Sequence, residues 1–256
     1  MKAVILAGGF GTRISEESHL IPKPMISIGG QPILWHIMKW YAKFGVSEFV
    51  ICAGYKQHII KEWFANYYLH FSDVTFDFSA NNEMKVHHNY AENWKVTVVD
   101  TGLHSMTGGR VKRIQEYIGN ESFLLTYGDG VSDVNINELL AHHQKSDTKV
   151  TLTAVQPGGR FGVLDIDNFT RISSFAEKKK EDGGWINGGY MVCEPELFSY
   201  IAGDNTVLER EPFEALAARG KLTAYKHEGF WQCMDTLRDK EYLEGLITKG
   251  EAPWIY

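Results

Sequence analysis

Four short stretches of this 256-residue chain carry residue types suited to chemistry on phosphates. The first is "AGGFGTR", residues 7–13. Glycines at 8, 9 and 11 let backbone N–H groups approach an anion with no Cβ in the way. Successive N–H groups in such a turn form an anion-binding concavity. Arg13 adds a fork-shaped guanidinium suited to bidentate phosphate contact. Lys23 follows in "IPKP", where Pro24 pushes it out of the helical region and Pro22 stiffens the approach. The same residues also describe a plain glycine-rich turn beside two solvated cations. Neither familiar phosphate fingerprint is met. Ile14 stands where G-x-G-x-x-G needs its third glycine, and Arg13 stands where a P-loop needs its second.

The second stretch pairs two distant aspartates. Asp129 ends an apolar run in "LLTYGDG", and a carboxylate at the C-terminal end of a parallel strand points into the crevice where open α/β sheets bind ligands. It also reads as an Asx-turn residue before Gly130. Asp235, in "FWQCMDTLRD", precedes a helix and reads equally as its cap, with Thr236-x-x-Asp239 a possible capping box. The third stretch, "FAEKKKEDGGWINGGY" (175–190), holds three consecutive lysines and two glycine pairs; as a charge run it reads as a solvated loop. The fourth, "DTGLHSMTGGRV" (100–111), is a second glycine-rich segment, open to reading as a surface loop. The histidine pairs 87–88 and 142–143 lack the i, i+4 spacing of a helical metal site, so solvated or core histidines are expected. No Ser-His-Asp arrangement is visible, and no cysteine has an obvious base beside it.

These groups need a scaffold, and the pattern supplies one. Strands are expected at 3–6, 48–54, 96–102, 123–129 and 149–155, with helices at 33–44, 58–69, about 111–118 and 136–144 between them. Such alternation predicts an α/β fold with a mostly parallel central sheet and helices on both faces. From Phe161 the runs shorten ("FGVLDI", "RISSF", "GGYMV") and suggest a smaller antiparallel lobe. Helices including "EPFEALAARG" and "TLRDKEYLEGLI" follow. The expectation is one domain over 1–256, with 1–155 the sheet-and-helix part and 156–256 the smaller lobe and C-terminal helices.

Composition bounds the partners. A net charge of −6 gives no basic face for nucleic acid, so phosphate chemistry must rest on a few placed cations and a metal. Hydrophobic residues at 44% and charged residues at 23% are ordinary globular values. Cys52, Cys193 and Cys233 form no CxxC pair, as in a reduced cytoplasmic protein. No run approaches the roughly 20 apolar residues of a membrane span, and the opening "MKAVILAGG" lacks a signal-peptide cleavage site.

"LAGGFGTR" followed by "PKPM" resembles the signature of the sugar nucleotidyltransferases, whose loop is G-x-G-[ST]-R. The wider stretch "PKPMISIGGQPILWHIMKWY", with "AGYK" and "NGGYMV", is similar to members that join CTP to glucose 1-phosphate. The resemblance extends over nearly the whole chain. It implies a Rossmann-like three-layer sandwich and direct attack of the sugar phosphate on the α-phosphate, releasing pyrophosphate. It implies nucleotide contacts from Leu6, Ala7, Gly8, Gly9, Gly11, Thr12, Arg13, Lys23 and Gly128. It implies a base pocket at Thr101, Gly108 and Gly109, a segment whose departure from the thymidylyl and uridylyl pattern favours cytosine. It places Mg²⁺ on Asp129 and Asp235, and the sugar phosphate on Glu177, Lys178 or its rival Lys179, Asn187 and Gly188. Arg13, Lys23 and Asp129 are the implied catalytic set. Arg110 is open to two readings, reaching a phosphate here or in a neighbouring subunit, and nothing local decides between them. The family is usually oligomeric, so a homo-oligomer is expected, with the aromatic tail "APWIY" free to dock on a neighbouring subunit. The alternatives are transfer from UTP or dTTP and a non-catalytic nucleotide-sugar sensor.

Overall fold

The computed structural model describes residues 1–156, 163–166, 171–176 and 184–255. Strand β1 (Ala3–Ala7) is apolar and buried throughout, as a strand covered on both faces must be. It lies parallel between β2 (Glu48–Ala53) and β4 (Phe123–Tyr127), with Leu6 opposite Cys52 and Tyr127. Strand β3 (Lys95–Asp100) extends the sheet in parallel beyond β2. On the other side β5 (Val150–Val155) is reached through β6 (Ile186–Asn187) and β7 (Met191–Cys193). These two are antiparallel pieces of one interrupted line, with β7 also antiparallel to β4. Strand β8 (Leu222–Lys226) closes the far edge, parallel to β5. The sheet is therefore mixed and mostly parallel. "GGYMV" pairs antiparallel, in keeping with its texture, but inside this central sheet. The separate antiparallel pieces are Val163–Ile166 with Ile172–Ala176, and Gly130–Ser132 with Trp231–Cys233.

Alternate residues of β1 and β2 feed opposite layers. Ile5, Ala7 and Ile51 pack with helix α1 (Ile33–Lys43), while Val4, Leu6, Val50 and Cys52 pack with Val111, Ile114, Phe213 and Leu216. Sheet plus two helical layers makes the three-layer sandwich. Helix α1 ends at Lys43, with Phe44 as its C-cap and Gly45 next at φ +83°. Helix α2 (Gln57–Ala65) ends sooner than its pattern suggests, and a short turn of helix resumes at Tyr67–His70. Helix α3 (Thr107–Arg113) starts earlier than expected. Its two glycines read as loop, but a Cβ on Gly108 would lie 2.7 Å from the Thr206 carbonyl and one on Gly109 2.4 Å from that of Asp204. Close packing, not flexibility, accounts for them. Helices α4 (Ile136–Lys145), α5 (Glu211–Ala218) and α6 (Leu237–Lys249) complete the layers.

An exposed hairpin, Ser72–Asp77 with Glu83–Asn89, carries His87 and His88 at the surface. His143 is buried between Thr151 and Glu194. Within the C-terminal aromatic tail, the indole of Trp254 is turned inward. Trp254 is 1% exposed and stacks on Phe230 at 5.1 Å within the chain's own core. Among the described residues no helix is long and apolar enough to cross a membrane.

Candidate active site

The site forms where β1 and β4 end side by side. The chain leaves Ala7 into the glycine loop, and Gly11 adopts φ +66°, a left-handed conformation that strains any residue with a Cβ. The Gly11 carbonyl accepts from Ser18 Oγ at 2.8 Å and from the Ile14 amide, so the turn is braced from outside. Beneath it lies Arg110, 5% exposed. Its guanidinium donates to Thr101 Oγ1 at 2.9 Å, to the Gly102 carbonyl at 2.7 Å and to the Leu103 carbonyl at 3.3 Å. A Cβ on Gly8 would come within 2.0 Å of this guanidinium. Gly8 is thus small to admit Arg110, whose guanidinium holds the 101–103 segment by its hydrogen bonds.

Lys23 departs from expectation in its backbone. It opens a single 3-10 turn, Lys23–Met25, and the extended residue is Pro22 at φ −67°, ψ 143°. The Met25 amide closes the turn on the Pro22 carbonyl at 2.8 Å, which outweighs the steric bias of Pro24. The side chain still points where chemistry needs it. Its Nζ lies 2.6 Å from Asp129 Oδ2 and 2.6 Å from Asp235 Oδ1, with the Lys23 side chain 10% exposed. Burial works against the charged ammonium, yet the carboxylates of Asp129 and Asp235 beside it raise its pKa above the usual lysine value.

Two local devices bring the aspartates together. Gly130–Ser132 pairs antiparallel with Trp231–Cys233, Cys233 facing Gly130, and the Met234 amide donates to the Asp129 carbonyl at 2.8 Å. Thr236 caps α6 in a full capping box with Asp239. The cap is therefore Thr236, and the carboxylate of Asp235 is turned to the lysine. Cys233 Sγ completes a group with the two carboxylates in which all ligand atoms lie within 4.8 Å of one another. Burial first, then Asp129, pushes this thiol well above its ordinary pKa, so it stays neutral. Two carboxylate oxygens already converging on one cationic atom suit a hard divalent ion, which takes oxygen ligands.

A cleft of about 630 Å³ opens above this group. Its walls are Leu6–Thr12, Lys23, Pro24, Leu103–Thr107, Arg110, Tyr127–Asp129 and Asp235. Phe10 lies 5.3 Å from the Tyr55 ring and 5.9 Å from that of His104, tying the glycine loop to the opposite wall. The structure thus brings together Leu6, Ala7, Gly8, Gly9, Gly11, Thr12, Lys23, Gly128, Asp129 and Asp235. Of Arg13 only the backbone is described, in the turn Thr12–Ile14.

Thr101, Gly108 and Gly109, expected at a base pocket, are not among the residues that line this cleft. Thr101 is buried behind the wall, donating to the Ala53 carbonyl at 2.7 Å, and Gly108 and Gly109 face residues 204–206. Leu103–Thr107 form that wall instead. Asn187 and Gly188 also stand back from the cleft. Asn187 Nδ2 donates to Tyr127 Oη at 3.1 Å, and the Gly188 carbonyl accepts from Trp231 Nε1 at 2.7 Å. Glu177, Lys178 and Lys179 lie outside the described residues. Sequence reasoning missed Tyr127 and Glu209. The Glu209 carboxylate accepts hydrogen bonds from Tyr127 Oη and Thr107 Oγ1, each at 2.6 Å, and so links both sides of the cleft. No local signal marks Glu209, which lies in an irregular connection far from either partner in sequence.

Comparison with known proteins agrees with this geometry. A family model described as nucleotidyl transferase matches residues 2–232. The glucose-1-phosphate cytidylyltransferase of Salmonella typhimurium is 58% identical over 255 residues, covering 99% of this chain and 98% of the relative. A probable glucose-1-phosphate cytidylyltransferase of Bacillus subtilis is 42% identical over 255 residues, with 99% of each chain covered. Among solved structures, HddC from Yersinia pseudotuberculosis superposes with a TM-score of 0.75 at 23% identity, over 96% of this chain and 99% of that one; at that identity the likeness shows the fold alone. With its glycine loop, buried lysine and facing aspartates on one such sheet, the chain belongs to the nucleotidyl transferase family.

Proposed function

We propose that the chain transfers the cytidylyl group of CTP to α-D-glucose 1-phosphate, giving CDP-glucose and pyrophosphate. An oxygen of the sugar phosphate bonds to the α-phosphorus, and the bond from that phosphorus to the bridging oxygen of pyrophosphate breaks in line with it. A phosphate monoester is already an anionic nucleophile, so the protein supplies position and charge stabilisation, not a base. Backbone amides of residues 8–12, with Arg13, hold the β- and γ-phosphates. Lys23 reaches the α-phosphate. Asp129 and Asp235 hold Mg²⁺, which when bound neutralises repulsion between the two polyanions. Leu103–Thr107 contact the base. Glu177, Lys178 or Lys179, Asn187 and Gly188 serve the sugar phosphate, with residues 1–155 the nucleotide part and 156–256 the sugar part. The reading also has the protein acting in the cytoplasm as a homo-oligomer, without nucleic-acid or membrane partners, in making bacterial surface polysaccharide.

One observation carries the proposal: a buried lysine bridges two carboxylates on the floor of a glycine-lined cleft. The choice of CTP and glucose is supported by the relative that shares 58% of its residues with this chain over nearly full length. The test is a panel of CTP, UTP, dTTP, ATP and GTP with glucose 1-phosphate and Mg²⁺, read as pyrophosphate release. CTP should exceed every other triphosphate at least tenfold. Greater release from UTP or dTTP than from CTP would assign a different base, and binding without release would mean a sensor.

A further inference from the structure

We propose that Lys23 is a built-in stand-in for the divalent cation. In the free protein its ammonium fills the place between Asp129 and Asp235, so ion and ammonium exclude one another until a triphosphate draws the lysine away. The inference rests on the proposed function only for the identity of the anion that moves Lys23. Three observations carry it. First, one Nζ sits 2.6 Å from an oxygen of each carboxylate, with no space left for a second cation between them. Second, the Asp129 and Asp235 side chains are 28% and 16% exposed, and two like charges held so close and so dry need a counter-ion at all times. Third, Lys23 lines the same cleft as the glycine loop, with its Cβ beside Gly11. A rotation of its side chain would take the ammonium from the carboxylates toward the amides of residues 8–12 without a change of backbone.

The consequence is a charge exchange. An ion entering the empty cleft would have to evict an ammonium that is 10% exposed and leave it without a partner, which is costly in a buried site. A triphosphate on the glycine loop offers that ammonium new oxygens and frees both carboxylates for the ion. Ion and nucleotide then favour each other's binding, and by linkage the effect is reciprocal. Lys23 thereby keeps stray divalent ions out of the resting protein.

The test measures Mn²⁺ binding to the full chain without nucleotide, from the electron paramagnetic resonance signal of the free ion. Wild type should bind at least tenfold more weakly than Lys23→Met and Lys23→Gln, two variants that remove the competing charge. Adding Asp235→Asn to either variant should abolish the gain, which locates the ion at the carboxylate pair. Variants with no tighter binding than wild type would overturn the proposal. So would stoichiometric Mn²⁺ binding by wild type without nucleotide that is lost in Asp235→Asn, a result that needs no lysine variant to fold. No turnover is read here, so the wrong base in the triphosphate panel leaves this inference standing, and its own failure leaves the panel's result untouched.

Discussion

Lys23 meets Asp129 across 106 residues of chain and Asp235 across 212, yet all three are needed at one point. Each is expected to act on charge that spreads during transfer, and loss of one such group typically costs about 10²–10³ in rate. Lys23→Ala and Asp129→Asn should therefore lose turnover by at least that order with unchanged far-ultraviolet circular dichroism; near-normal pyrophosphate release from both would remove them from the machinery. Neighbouring glycines differ in the same testable way. A Cβ on Gly8 strikes the Arg110 guanidinium, whereas one on Gly9 meets nothing within 4 Å. Gly8→Ala should cost about 1–3 kcal/mol, the usual range for overpacking. Gly9→Ala should leave the denaturation midpoint unchanged and weaken nucleotide binding. Residue types at 8, 9, 11 and 23 were legible from sequence because glycine and a proline-flanked lysine carry their physics locally. Arg110 was not, because Gly8, against which it packs, is remote in sequence and meets it only through the fold.

At the scale of elements, capping decides what Asp235 is free to do. Thr236 Oγ1 accepts from the Asp239 amide, and the Asp239 side chain accepts from the Thr236 amide. With α6 capped one residue on, the carboxylate of Asp235 is left for Lys23. Thr236→Ala should lower stability by about 1 kcal/mol, as loss of such a cap commonly does. It should also reduce turnover by loosening Asp235, an effect that thermal melts and initial rates of one preparation can compare. The strands and long helices were readable from their periodicity. The start of α3 was not, since Gly108 and Gly109 weaken helix propensity by about 1 kcal/mol each, and what they gain is close contact with residues 204–206.

At the scale of the whole molecule, the C-terminal tail belongs to the same core as α1. Trp254 is 1% exposed, stacks on Phe230 and meets the His36 ring edge-on. Trp254→Ala should cost about 3–5 kcal/mol, in line with deletion of a buried aromatic, and urea unfolding would measure it. An unchanged midpoint would mean that the tail merely rests on the surface.

What the sequence by itself determined is the alternation of strand and helix, the glycine loop, and the residue types able to hold a triphosphate and a cation. Those follow from local backbone freedom and from the periods of apolar residues, which need no partner elsewhere in the chain. Tertiary structure alone decided which distant groups meet: the lysine between its two aspartates, Arg110 beneath Gly8, Glu209 joining Tyr127 to Thr107, and Trp254 turned inward. Those contacts arise when strand order and helix packing bring remote segments within a few ångströms, and no pattern along one stretch of chain encodes that distance.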